Sequence, residues 1–340
     1  MPGRVFISQP IPEPGPTLIR EAAKTVTANT EERILSHEEL VEAVKGCDAV
    51  LCLLTDRVDS AVLEAAKGCR VFSNMAVGYN NVDVTAASRL GIAVTNTPGV
   101  LTEATADLTW ALILGVARRV AEGDRVMRAE AFPGWGSMYM LGGDVTGRTL
   151  GLVGPGRIAA AVAERAKGFK MHLLYHGRRP STDLDALGAK HVAMDDLLAE
   201  SDFVSLHLPL SPETRHIIDA KALGKMKPTA YLINTARGPV VDEAALVVAL
   251  KTGTIAGAGL DVYDEEPKMA AGLASCPNTV LLPHLGSATH ATRAAMSRIA
   301  AENLVAVLEG RRPAHLLNPE IWRNTQLHEP ALDSGLERRT

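Results

Sequence analysis

Three short segments carry residue types that can hold an anion and move a proton: Asn234-Thr-Ala-Arg237-Gly238, Asp261-Val-Tyr-Asp-Glu-Glu266-Pro267 and Pro283-His284-Leu-Gly-Ser-Ala-Thr289. Between them they offer a guanidinium, a carboxylate and an imidazole. The planar fork of Arg237 can clamp a carboxylate in two parallel hydrogen bonds. His284 can exchange a proton near neutral pH, and a carboxylate beside it, such as Glu266, fixes its tautomer and favours its charged form. That combination suits redox chemistry at a carbon that bears OH or C=O next to a carboxylate.

A fourth segment, Gly154-Pro-Gly156-Arg157-Ile158-Ala159, matches G-x-G-x-x-G/A between a buried apolar run and a helical one. Its first glycine permits a tight turn and its second lets backbone approach a pyrophosphate. The small Ala159 lets helix pack on strand, with the helix N-terminus facing the phosphate charge. The next strand ends in Tyr175-His-Gly-Arg178-Arg179-Pro, where a carboxylate would be needed to accept free ribose hydroxyls. Two guanidiniums there suit a 2′-phosphate, so the sequence predicts NADP(H) as the preferred cofactor, with NAD(H) possible.

These segments need strands to place them. Short β-rich runs at Val5 to Ser8, Ala49 to Leu54, Val71 to Asn74 and Ala93 to Asn96 alternate with helical stretches, the rhythm of a parallel α/β sheet. Ser36-His-Glu-Glu39 fits a capping box that opens a helix over about 37–46. The segment from Thr102 to Arg128 is apolar at helical spacing and reads as one long helix bridging two domains. After the aromatic, Gly-rich loop Phe132 to Gly143 come six further strands: Leu150 to Val153, Leu173 to Tyr175, Phe203 to Leu206, Ala230 to Ile233, Gly257 to Asp261 and Thr279 to Leu282. The three catalytic-type segments and the glycine turn fall at or just after the carboxyl ends of these strands, where ligands bind in open α/β sheets. Helices are predicted at Ile158 to Lys167 and at Glu243 to Thr252, the latter capped by Asp242 and stopped by Gly253.

The length predicts two domains. With 35 Lys+Arg against 39 Asp+Glu and no long basic run, neither nucleic acid nor an anionic membrane is an expected partner. The N-terminal stretch has no sustained apolar run and no segment reaches about 20 apolar residues, which predicts a cytoplasmic protein. Cys47, Cys52, Cys69 and Cys276 show no metal-ligand spacing and read as small buried hydrophobes, so no metal is implied.

Together with Asn74-Met-Ala-Val-Gly-Tyr-Asn-Asn-Val-Asp83 and Leu101-Thr-Glu-Ala-Thr-Ala-Asp107, the four segments resemble the D-isomer-specific 2-hydroxyacid dehydrogenases, and within them the glyoxylate/hydroxypyruvate reductases, from about residue 1 to 320. The resemblance implies a Rossmann dinucleotide-binding domain, 100–289, inserted into a flavodoxin-like substrate domain made of 1–99 and 290–322; the polar, mixed-charge stretch 323–340 reads as a disordered or partner-bound C-terminal tail. It implies that Arg237 binds the carboxylate and carbonyl oxygen of a small 2-oxo acid, that Glu266 orients and tunes His284, and that His284 donates the proton. The backbone amides of Val77 and Gly78 complete the carboxylate site in this reading, and Met75 lines it. On the cofactor side the pattern carries over to Thr105, Arg157, Ile158, Ala236, Asp261 and Gly286, beside Gly154 and Gly156 of the turn and the Arg178 and Arg179 already read as the 2′-phosphate site. A homodimer is implied too. Those reductases often bring a tryptophan from the partner subunit near the substrate, and here the aligned position is Tyr139, with Trp135 nearby. The family's formate members carry Gln where this chain has Glu266, which disfavours formate as substrate. Two rivals stand beside a reductase: a dinucleotide-sensing interaction protein of the corepressor kind, and a dehydrogenase for another D-2-hydroxy acid.

Overall fold

The computed structural model describes residues 3–325. Described residues up to Val100 and from His290 onward form one unit, and Leu101–Thr289 form a second.

In the first unit, β1 (Arg4–Ile7), β2 (Thr25–Ala28), β3 (Ala49–Cys52), β4 (Val71–Asn74) and β5 (Ala93–Thr95) make a parallel sheet in the order β2-β1-β3-β4-β5. That is the flavodoxin-like order. β3, β4 and β5 are fully buried, with Ser73, Asn74 and Thr95 buried among their apolar residues. The residues Phe6, Val50, Cys52, Phe72 and Val94 pack against helices on one face, and the helix His290–Leu308 covers β3, β4 and β5. Ser36 caps the helix His37–Ala43 in the predicted capping box, its side chain taking the Glu39 amide while Glu39 reaches back to the Ser36 amide. β2 escapes sequence reading because it is a four-residue edge strand with largely exposed residues, too short for its alternation to stand out.

The second unit holds a seven-stranded parallel sheet: β6 (Thr149–Val153), β7 (His172–His176), β8 (Lys190–His191), β9 (Phe203–Leu206), β10 (Tyr231–Asn234), β11 (Gly257–Leu260) and β12 (Thr279–Leu281). Their order, β12-β11-β10-β9-β6-β7-β8, is doubly wound in the Rossmann manner and reverses direction between β6 and β9. Alternate side chains feed two cores. Leu150, Leu152, Tyr175, Phe203 and Ile233 meet the helices Thr102–Ala117 and Arg157–Ala166 on one face. Val204, Leu206, Leu232, Ala258 and Leu260 meet the helices Met194–Glu200 and Glu243–Thr252 on the other.

The expectation of one long helix over 102–128 is corrected. The segment forms two helices, Thr102–Ala117 and Val120–Arg128, broken where Arg119 takes a left-handed φ of 54°, and both lie in the second unit. Apolar spacing continued across the break and hid it. The helix Glu320–Thr325 runs into the stretch read as a tail, and 326–340 lie outside the described residues. All four cysteines are buried. No helix among the described residues is long and apolar enough to cross a membrane.

Candidate active site

Gly154 leaves β6 with φ 99°, and a Cβ there would sit 2.7 Å from the carbonyl oxygen of His207, which follows β9. Backbone geometry and the neighbouring strand end therefore both require glycine. Gly156 begins the helix Arg157–Ala166 in extended conformation, with no side chain capping it and no atom within 4 Å of where a Cβ would stand. The first amides of that helix, at Arg157, Ile158 and Ala159, have no intrahelical acceptor and present a positive end to an anion. Ala159 is buried against the sheet. A Cβ on Gly177 would touch the ring of Pro155 at 2.5 Å, so the end of β7 abuts the turn and brings the exposed Arg178 and Arg179 beside it. The carboxyl of Glu213 lies low, chiefly through its Ser211 hydrogen bond, with the charge of Arg178 contributing. The arrangement fits a dinucleotide: an open glycine face, an uncapped helix N-terminus and cations at the next strand end.

The acid–base group is assembled from the ends of β10, β11 and β12. Asn234, the last residue of β10, accepts from the Ala236 amide through Oδ1 (3.0 Å) and donates from Nδ2 to the Arg237 carbonyl (2.9 Å), which fixes the turn that carries Arg237. The Arg237 guanidinium donates from Nη1 to the Ala236 carbonyl at 2.6 Å. Burial pushes its pKa down and the charge of Glu266 pulls against that. A Cβ on Gly238 would fall 1.8 Å from the Tyr263 carbonyl, so only glycine lets the loop after β10 press on the loop after β11.

Glu266 uses both oxygens. Oε2 lies 2.8 Å from His284 Nδ1, and Oε1 accepts from the Tyr263 amide at 3.1 Å. Burial would raise this carboxyl, but the hydrogen bond and charge of His284, the Tyr263 amide and the charge of Arg237 outweigh it and hold Glu266 below its usual range. An ionised carboxylate only accepts, so Nδ1 carries a hydrogen and Nε2 is left as the proton-transfer atom. His284 has a left-handed φ of 56° and donates its amide to the Asp261 carbonyl at 2.9 Å. Asp261 caps the next turn, accepting from Leu285 (2.6 Å) and Gly286 (2.8 Å), while burial raises its carboxyl against those bonds. Thr105 is buried and donates to the Gly286 carbonyl at 3.0 Å. Asp261, Gly286 and Thr105 are thus one structural knot behind His284. Ala236 lies half-buried beside Arg237.

Three supports were not foreseen from sequence. Glu243, buried at the start of its helix, accepts from the Asp264 amide (2.6 Å) and the Ala270 amide (2.8 Å) and so pins both sides of the Glu266 loop. An acid in a first helical turn reads as a helix-dipole partner, which concealed this. Asn234 could have been singled out as a polar residue closing an apolar strand. His207 supplies the carbonyl that forces Gly154, and burial alone pushes its imidazole down to about 3, so that ring is neutral.

In the first unit Met75 is buried, while Val77 and Gly78 are half-buried on the loop that follows β4. Tyr139 sits in the second unit with its ring 6.1 Å from that of Phe132, and Trp135 is 87% exposed. No group of three or more His, Cys, Asp or Glu among the described residues is placed to hold a metal.

Residues 110–286 match the family described as D-isomer specific 2-hydroxyacid dehydrogenase, NAD binding domain. The chain is 50% identical over 324 residues to a glyoxylate reductase of Korarchaeum cryptofilum, covering 94% of this chain and 97% of that one. Among solved structures it resembles the TT0316 protein of Thermus thermophilus, with a TM-score of 0.87 and 45% identity over 92% of this chain and 99% of that one. It also resembles an NADPH-dependent glyoxylate/hydroxypyruvate reductase of Sinorhizobium meliloti in complex with NADP and malonate, at TM-score 0.82 and 32% identity, covering 92% and 96%.

Proposed function

The chain belongs to the D-isomer-specific 2-hydroxyacid dehydrogenases, and on that premise we propose that it reduces glyoxylate, and hydroxypyruvate beside it, to glycolate and D-glycerate with NADPH. The observation that carries this reading is the Glu266–His284 pair at 2.8 Å with the Arg237 charge acting on the same carboxylate. The substrate is read from the relatives named for glyoxylate.

Arg237 clamps the substrate carboxylate and polarises the carbonyl oxygen, so developing negative charge meets a fixed cation. His284, charged and held by Glu266, gives a proton to that oxygen through Nε2 and becomes neutral as the hydroxyl forms. When bound, the reduced nicotinamide supplies the hydride that C2 accepts. Gly154, Gly156, Arg157, Ile158, Thr105, Ala236, Asp261 and Gly286 would hold the dinucleotide in the domain spanning 100–289, and Arg178 with Arg179 would pair with its 2′-phosphate. In the domain made of 1–99 and 290–322, the amides of Val77 and Gly78 would take the substrate carboxylate, with Met75 against it. The NADP bound by the Sinorhizobium relative supports the cofactor preference by analogy.

A homodimer is part of the reading. The stretch 120–141 exposes Val120, Met127, Phe132, Trp135, Met138 and Leu141, apolar side chains that would suit a partner surface. Tyr139 within it would reach the partner's substrate.

The test is NADPH and NADH oxidation by the purified protein with glyoxylate, hydroxypyruvate, pyruvate and a bulky 2-oxo acid. Fast turnover of the two small substrates with NADPH, and much less with NADH, is expected. Preference for NADH would remove the 2′-phosphate assignment and leave the acid–base assignment standing.

A further inference from the structure

Loop 75–81 of the first unit is held from beneath by buried carboxamides that the mechanism does not use. Three consecutive carbonyls are pinned there: Ala76 accepts from the Thr97 amide at 2.9 Å, Val77 from Asn96 Nδ2 at 2.8 Å, and Gly78 from Asn74 Nδ2 at 3.1 Å. In a planar trans peptide the carbonyl and the following N–H point in opposite directions. Fixing these three carbonyls therefore aims the amides of Val77, Gly78 and Tyr79 away from the donors. Among the described residues, none of those three amides has an acceptor within its own unit.

The donors are themselves immobilised. Asn74 is fully buried at the end of β4, where its Oδ1 accepts from Asn81 Nδ2 (3.4 Å), and Asn81 also donates to the carbonyls of Leu53 (3.0 Å) and Asp56 (3.1 Å). Asn96, also buried, gives its amide to the His315 carbonyl (3.2 Å), and its carbonyl accepts from Asn303 Nδ2 (3.2 Å). Neither donor can swing away without leaving a buried polar group unpaired.

We propose that Asn96 and Asn74 are positioning residues for small-carboxylate capture: by holding the Val77 and Gly78 carbonyls they aim the amides of Gly78 and Tyr79, which together with the Val77 amide, aimed by the Ala76–Thr97 bond, form a preset anion-binding row. The inference rests on the proposed reading only for the identity of the anion. A preset row lowers the cost of ordering donors when the carboxylate arrives, so its loss weakens carboxylate binding and leaves cofactor binding alone.

The test compares wild type with Asn96→Ala and Asn96→Asp, with Asn74→Ser as a further variant should either fail to fold. Asn96→Asp sets a second acceptor against the Val77 carbonyl and is the more damaging change. Four readouts are taken: KM and kcat for glyoxylate, oxalate affinity by calorimetry on NADPH-loaded protein, NADPH affinity, and Tm. Expected are a KM rise and an oxalate weakening of about 10-fold each, the scale of one lost hydrogen bond to a charged group, with kcat within about twofold and NADPH affinity unchanged. Unchanged KM and oxalate affinity overturn the proposal. So does a joint loss of kcat, NADPH affinity and Tm, which marks a merely structural role. If wild type reduces no 2-oxo acid yet binds oxalate in an Asn96-dependent way, the proposed activity fails and this inference stands. If wild type neither reduces a 2-oxo acid nor binds oxalate, both fall.

Discussion

The two glycines of the turn after β6 should fail in different ways when replaced by alanine. At Gly154 the backbone has φ 99°, which costs an alanine about 1–3 kcal/mol. The new methyl would also stand 2.7 Å from the His207 oxygen and 2.8 Å from Leu208 Cδ2, overpacking worth about 1–3 kcal/mol more. Gly154→Ala should thus lose about 2–6 kcal/mol of stability. In a unit of this size that lowers Tm by on the order of 10 °C. At Gly156 the backbone is extended and the space around a Cβ is empty, so alanine should change stability by less than about 0.5 kcal/mol. Its methyl instead occupies the face where backbone approaches a pyrophosphate, and NADPH binding should weaken by about 10- to 100-fold, or roughly 1.4–2.8 kcal/mol. Scanning calorimetry reads the first effect and fluorescence titration with NADPH the second. Gly156→Ala binding NADPH as tightly as wild type would refute the cradle, and Gly154→Ala melting with wild type would refute the strain argument.

Other perturbations separate the remaining roles. Arg178→Ala combined with Arg179→Ala should weaken NADPH and leave NADH nearly unchanged in the same titration; equal losses would remove the 2′-phosphate assignment. Glu243→Gln leaves one of the Asp264 and Ala270 amides without an acceptor, so stability should fall by about 1–3 kcal/mol and kcat with it, while NADPH affinity holds. Unaltered melting and kcat would show that the clamp is idle. Because Glu266 lies below its ordinary 4.5, its ionised form stabilises the fold above that value, and the contribution disappears as pH falls through the lowered one. The stability gap between wild type and Glu266→Gln, followed by urea melts, should be constant near neutrality and close below pH 4.5; a gap that widens in acid contradicts the assignment. By light scattering, wild type should be the proposed homodimer and Trp135→Glu with Met138→Glu a monomer; a dimer that persists would place the interface elsewhere, and a monomeric wild type would remove the homodimer proposal.

Much of the site was legible because it sits at strand ends with sharp local signatures. The β-rich runs Val71–Asn74 and Phe203–Leu206 form strands over those same residues, and the helix Glu243–Thr252 begins at an Asp242 cap and ends at Gly253 with φ 70°, as its sequence reads. Gly154 and Gly156 were readable as a turn, yet their different reasons were not. One is forced by the carbonyl of His207, 53 residues away in the chain, and the other is left open. The break at Arg119 was hidden because its flanks share one helical pattern, and β2 because an exposed edge strand carries little apolar signal. Among the supports of the site, Asn234 and Asn74 hold backbone atoms only two to four residues on, whereas Glu243 and Asn96 hold backbone atoms 19 to 27 residues away. Local sequence does not encode such pairings.

The most direct measurement is the rate of NADPH oxidation with glyoxylate by wild type and His284→Ala, with NADPH affinity measured on both. If His284 is the proton donor held by Glu266, wild type turns over, the variant loses about 10²- to 10⁴-fold in kcat, and both bind NADPH alike. A variant as fast as wild type, or a wild type that binds NADPH and reduces no 2-oxo acid, contradicts it.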